Sequence, residues 1–141
     1  LGDVYKRQTL ASAKCVFNLV PCDNKFELEF AQLLRDADDV QRFAKLPEQF
    51  AFAIEYTDAQ GNLRYYELDF VAVVADGTHY LIETKGLEDV NVAHKDRAAH
   101  LWCANATQLT GTPWEYLKVR QTEYASLQPT RFADLLVLAA R

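Results

Sequence analysis

From Asp23 onward the apolar residues Phe26, Phe30, Leu33, Leu34 and Ala37 recur every three or four positions, the spacing of one helix face. An apolar run, "CVFNLV", precedes them and reads as a short strand. Pro21 then breaks the chain and Asp23 can cap a helix, so a helix to about Asp38 is predicted. After that the period drops to two. "QFAFAIEYTD" predicts a strand, "AQGN" a turn, "LRYYELDFVAVV" one long strand, "ADGT" a second turn and "HYLIETKG" a third strand. From Asp89 or Val90 to Leu109 the spacing is helical again, with Gly111 placed as C-cap. "WEYLKVRQ" reads as a further strand, and "TRFADLLVLAAR" as a helix capped by Thr130. The order β-α-β-β-β-α-β-α predicts an α/β layer structure with an antiparallel hairpin at its centre.

The turn of that hairpin sets its chemistry. A three-residue loop, Ala75-Asp76-Gly77, is a type I turn plus bulge that wants glycine in the left-handed position, where Gly77 stands. It pairs Val74 with Thr78, Val73 with His79, Val71 with Leu81 and Asp69 with Glu83, and Lys85 falls on the same face two residues on. A two-residue loop at Asp76-Gly77 would instead set Asp69 against Thr84, on the other side from Glu83. In the first register Asp69, Glu83 and Lys85 converge, with opposed Cβ atoms about 4.5–5.5 Å apart. Their flanks, "LDFVAVV" and "YLI", are apolar on both faces. Two carboxylates there must be pushed up in pKa, find cations or bind a metal. Carboxylate oxygens suit Mg²⁺, and Lys85 would orient the attacking water and offset phosphate charge, the outline of a phosphodiester-hydrolysing site. A solvated Glu-x-Lys strand, with Asp69 merely paired to the lysine, is the plainer alternative.

Composition narrows the setting. The 141 residues are enough for one domain, half of them hydrophobic and a quarter charged. No apolar run reaches the roughly 18–20 residues of a membrane span. Three cysteines, Cys15, Cys22 and Cys103, form no CxxC pair, which argues against a disulfide framework or zinc cage and for a reducing cytoplasm. His94, His100 and Cys103 do not share one helical face as a set. The net charge of -5 suits poorly a protein that grips DNA unaided. The opening "LGDVYKRQ" contains "DVYKRQ", which resembles a translated sequencing-adapter end. Residues 1–8 are set aside on that ground, leaving 9–141 as a single domain read as the C-terminal piece of a longer protein.

Asp69 followed by Glu83-Thr84-Lys85 matches the PD-(D/E)XK signature, with Leu68 standing where the motif name expects proline. Together with "CDNKFELEFAQLL", "RYYELDFVAVVADGTHYLIETKG" and "KDRAAHLWCAN…TGTPWEYLKV", the chain resembles the C-terminal endonuclease domain of type III restriction enzyme Res subunits. The likeness runs from about Phe17 to Val119. It implies a restriction-endonuclease-like core, a mixed central sheet flanked by helices, and Mg²⁺-dependent cleavage of double-stranded DNA. Asp69 and Glu83 would be the metal ligands, Lys85 the catalytic lysine, and Glu27 the first-helix acid. Helical periodicity leaves Glu27 and Glu29 equally placed, and Glu27 is taken. Lys95, where the family usually has a lysine, would meet a DNA phosphate, although a solvated helix face is the competing reading. The resemblance also implies an ATP-driven motor upstream and a modification methyltransferase partner. No GxxxxGK[ST] phosphate loop occurs here, so ATP would belong to that motor, and motor and partner would hold the DNA. The alternatives are a non-catalytic interaction module of the same fold and a repair or junction-resolving nuclease of another branch.

Overall fold

One capping contact starts the first helix. In the computed structural model, which describes residues 8–15, 19–22, 24–46, 52–85 and 92–139, the Asn24 side chain accepts a hydrogen bond from the Glu27 backbone N–H at 2.8 Å. That satisfies one of the donors a helix N-terminus leaves open. Asp23, the residue expected to cap, lies outside the described residues. Helix α1 covers Lys25–Asp36, with Phe26, Phe30, Ala31, Leu33 and Leu34 buried along one stripe. Strands β1 (Gln8–Ala11) and β2 (Leu19–Cys22) pair antiparallel beside it. Of the expected strand "CVFNLV", residues 16–18 fall outside the described chain.

The remaining elements are β3 (Val40–Lys45), β4 (Ala53–Thr57), β5 (Leu63–Glu67), β6 (Phe70–Val74), β7 (His79–Lys85), α2 (Val92–Thr110), β8 (Trp114–Arg120), α3 (Gln121–Leu127) and a 3₁₀ helix at Phe132–Leu138. A mixed four-stranded sheet, ordered β3-β6-β7-β8, lies at the centre. β3–β6 and β6–β7 are antiparallel, whereas β7–β8 is parallel. A parallel neighbour needs a crossover connection, and α2 supplies it. The cluster on the α1 side includes Phe30, Phe43, Phe70, Ile82, Leu117 and Phe132. On the α2 side the cluster includes Ile54, Tyr66, Leu68, Leu81, Ala99 and Tyr116.

Four expectations need correction. "LRYYELDFVAVV" is two strands, because the chain leaves one sheet and enters another at Leu68-Asp69. β5 pairs with β4 in a separate hairpin, while β6 joins the central sheet. At the break the Asp69 N–H donates to the Ile82 carbonyl, although Ile82 is already the ladder partner of Phe70. Two residues thus face one, as in a β-bulge. Strand β3 was not expected at all: a register shift between Val40 and Arg42 breaks its alternation, so the period-two pattern does not show. Helix α3 was missed because none of its residues is buried, leaving no apolar stripe to read. The C-terminal tail winds as a 3₁₀ helix rather than an α-helix, with Arg131 rather than Thr130 at its N-cap. Asp134 accepts from the N–H groups of both.

The central hairpin has the register expected of a three-residue loop. Val73 faces His79, Val71 faces Leu81 and Phe70 faces Ile82. Gly77 has φ 90°, and its N–H bonds to the Val74 carbonyl at 2.9 Å. Nothing lies within 4 Å of where a Gly77 Cβ would stand, so a side chain there meets only the left-handed backbone cost. Gly77→Ala is expected to lower stability by about 1–2 kcal/mol and Gly77→Asn by less. Urea denaturation, read as a shifted midpoint at constant slope, checks both.

Candidate active site

The bulge at Asp69 turns its side chain into a ladder partner. Asp69 Oδ2 accepts hydrogen bonds from the Thr84 backbone N–H at 2.8 Å and the Thr84 hydroxyl at 2.9 Å. A carboxylate therefore takes the place of a backbone carbonyl at the end of β6 and is stitched to β7 beside Glu83. Lys45, the last residue of β3, approaches from the other neighbouring strand. Its ammonium lies 3.9 Å from Asp69 Oδ1 and 3.3 Å from Glu27 Oε1 of α1, and 5.8 Å from the centre of the Phe70 ring. Lys45 and Glu27 side chains are below a tenth exposed, and Asp69 is 23% exposed. Of the two candidate glutamates, Glu27 is the one turned toward Lys45. Glu29 is half-buried and pairs with Lys25 at 3.9 Å.

Electrostatics follow from that burial. Desolvation pushes the Asp69 carboxyl up to about 6 and nearby Glu27 adds to the rise, while the Thr84 bonds and the Lys45 ammonium pull against it. Lys45 was not singled out from the sequence. Its signal was available in "FAKLP", a lysine closing an apolar run.

Glu83 is 4% exposed and is engaged on the other side of β7. The Tyr116 hydroxyl lies 2.8 Å from Glu83 Oε2 and 3.0 Å from Asp96 Oδ1, and Lys118 Nζ lies 2.6 Å from Asp96 Oδ2. Burial pushes the Tyr116 hydroxyl far above the usual tyrosine range, so it stays protonated. The ladder ends at Phe70–Ile82, so the expected Asp69–Glu83 pair is not among its steps. The bulge turns Asp69 to Lys45 and Thr84 on the α1 side, while Glu83 meets Tyr116 on the α2 side. Lys85 pairs with Arg120 in the β7–β8 ladder; its side chain lies outside what the structure describes.

Lys95 sits against the β4–β5 hairpin. Its ammonium is 5.9 Å from the Tyr56 ring centre and 5.8 Å from that of Tyr66, and its carbonyl accepts from the Tyr66 hydroxyl at 2.9 Å. His79 packs on Trp114 with ring centres 4.8 Å apart, and His100 meets Tyr116 edge-on at 5.2 Å. Burial pushes the Cys103 thiol up to about 12, which leaves it a poor nucleophile at neutral pH.

The donor set suits a hard cation. Asp69, Glu83 and Glu27 offer carboxylate oxygens alone, and Mg²⁺ takes one or two of these while keeping several waters. Among the described residues no three His, Cys, Asp or Glu side chains are gathered closely enough to hold a metal.

A carboxyl raised by folding costs stability once it ionises. Below the usual carboxylate value near 3.8 both folded and unfolded chains hold the Asp69 proton; between that value and about 6 the folded state binds more protons. Stability therefore falls as pH rises through this window, and the whole penalty, on the order of 2–3 kcal/mol, is present above it. With EDTA present, Asp69→Asn is expected to be more stable than the unaltered chain at pH 8 by about 1–2 kcal/mol. That difference should vanish near pH 4, as urea unfolding at the two pH values can check.

Comparison with known proteins bears on what such a site is for. No curated protein and no solved structure matches the chain. A family model described as "Endonuclease domain" does match, over residues 13–122. That span holds both helices flanking the central sheet, all four of its strands, and Glu27, Lys45, Asp69, Glu83, Lys85 and Tyr116. Because the match covers more than three quarters of the sequence, the chain belongs to the endonuclease-domain family.

Proposed function

We propose that this chain is a Mg²⁺-dependent endonuclease module that hydrolyses DNA phosphodiester bonds, the cleavage part of a type III restriction enzyme Res subunit. One observation carries the reading: in a chain of the endonuclease-domain family, a half-buried Asp69 whose carboxyl is raised by desolvation is bonded directly to the strand that bears Glu83 and Lys85. Hydrolysis of a phosphodiester needs an attacking water, an in-line approach and a means to offset charge on the phosphoryl oxygens. When bound, Mg²⁺ supplies a Lewis acid for the phosphoryl oxygen and a water of lowered pKa.

The residues of this chain do the rest. Asp69 and Glu83 would hold the ion from neighbouring strands, Asp69 approaching from the α1 side of the sheet and Glu83 from the α2 side. Glu27 would accept from its water shell, with Lys45 keeping the two acids of that side apart. Lys85 would orient the attacking water and offset phosphate charge. The hydrogen bonds from Thr84 fix Asp69 Oδ2, so the carboxylate does not have to be ordered at the moment of reaction. The acidic net charge of -5 is consistent with DNA held chiefly by an upstream ATP-driven motor and a modification methyltransferase. Lys95, packed on two tyrosine rings, would reach a phosphate only by leaving them.

A second reading has an observation in its favour. Both Asp69 and Glu83 already have protein partners, as they would in a non-catalytic module that kept the fold and packs on the motor.

Plasmid nicking separates the two. The chain, alone or joined to its upstream part, is expected to nick supercoiled DNA with Mg²⁺ or Mn²⁺ and not with EDTA. Asp69→Asn, Glu83→Gln and Lys85→Ala should each cut at least about 100-fold more slowly while remaining folded. Full cutting by all three variants would remove this site assignment. Absence of any Mn²⁺ heat in calorimetry, together with no nicking, would favour the interaction module. The type III part is tested with the longer protein, whose cutting should require ATP and the methyltransferase.

A further inference from the structure

We propose that Tyr116 is a positioning residue for Glu83, and that Asp96 and Lys118 act through it by directing where its hydroxyl proton goes. This rests on the reading above, in which Glu83 holds a divalent cation. The inference starts from proton counting. A phenol carries one proton, yet the Tyr116 oxygen has a carboxylate oxygen of Glu83 at 2.8 Å and one of Asp96 at 3.0 Å. It can donate to only one of them at a time.

Lys118 decides which. Its ammonium lies 2.6 Å from Asp96 and stabilises the charge there, so Asp96 gains least from the phenol proton and Glu83 gains most. The strand register makes the contact possible. In the parallel β7–β8 ladder Tyr116 stands opposite Leu81 and Lys118 opposite Glu83. Tyr116 therefore reaches Glu83 diagonally, across two residues, a span that its ring and hydroxyl cover and a shorter side chain would not. Tyr116 is itself held, 5% exposed, with its ring against His100. A hydrogen bond to Oε2 sets the plane of the Glu83 carboxylate, much as outer-shell partners orient metal-ligating groups. Without it the carboxylate would have to be ordered when the ion arrives, at a cost in affinity.

The expected signature is a shift in metal affinity with the maximal rate kept. Calorimetry with Mn²⁺ on the intact chain should show Tyr116→Phe binding about 10–100-fold more weakly. Nicking titrated against Mn²⁺ should shift by the same factor and recover at saturation. Lys118→Met should weaken binding in the same direction, because Asp96 then competes for the phenol proton. The replacement has room, since Lys118 lines a cavity of about 290 Å³. Tyr124→Phe removes a hydroxyl that donates to the Glu29 carbonyl on the α1 side and should leave Mn²⁺ affinity unchanged. A folded Tyr116→Phe that binds Mn²⁺ as tightly as the unaltered chain overturns the positioning role. Should that variant fail to fold, unchanged affinity in Lys118→Met overturns it equally. If the unaltered chain binds no Mn²⁺, the nuclease reading falls and this inference with it, an outcome distinct from either.

Discussion

A buried ammonium between one buried and one half-buried carboxylate sets the terms for the rest of this fold. Removing Glu27, Lys45 and Asp69 from water is expensive for each, and the cost is offset only where the three meet in good geometry. Lys45 can reach them because β3 adds to the sheet beside β6. Glu27 can do so because α1 begins at Asn24 and turns that face inward. Asp69 can do so because β6 ends in a bulge whose carboxylate bonds to Thr84.

The strand carrying Glu83 and Lys85 is thereby flanked by two polar chains. Glu27, Lys45, Asp69 and Thr84 form one, reaching from α1. Glu83, Tyr116, Asp96 and Lys118 form the other, reaching toward α2. The raised carboxyl of Asp69 shows that the first chain compensates its charge only in part. Such a residue weakens the fold it belongs to once it ionises.

The β4–β5 hairpin stands outside the central sheet and closes the α2 side. Tyr56 and Tyr66 meet edge-to-face at 5.8 Å and take the Lys95 ammonium against their rings. A residue that the family resemblance offers to DNA instead packs on the rings of the hairpin, joining α2 to it through cation–π contacts.

Much of this was legible from the order of residues. The α1 stripe, the α2 stripe and the Gly77 turn are local: helical spacing and a glycine at positive φ act within a few residues of themselves. The hairpin register as far as Phe70–Ile82 followed from that turn alone. The expected pairing of Asp69 with Glu83 did not, because the bulge at Asp69 shifts that residue to Ile82 and Thr84. What stayed hidden depends on partners far apart in the chain. β3 lost its period-two pattern to a register shift, and one apolar run became two strands because Leu68 and Asp69 were claimed by different sheets. Lys45 and Tyr116 looked like ordinary strand residues, since nothing nearby shows that a lysine will meet an acid 18 positions before it and another 24 after it. Periodicity and turn chemistry are written in neighbours, whereas the pairing of buried charges exists only once β3, β6, β7 and β8 lie side by side.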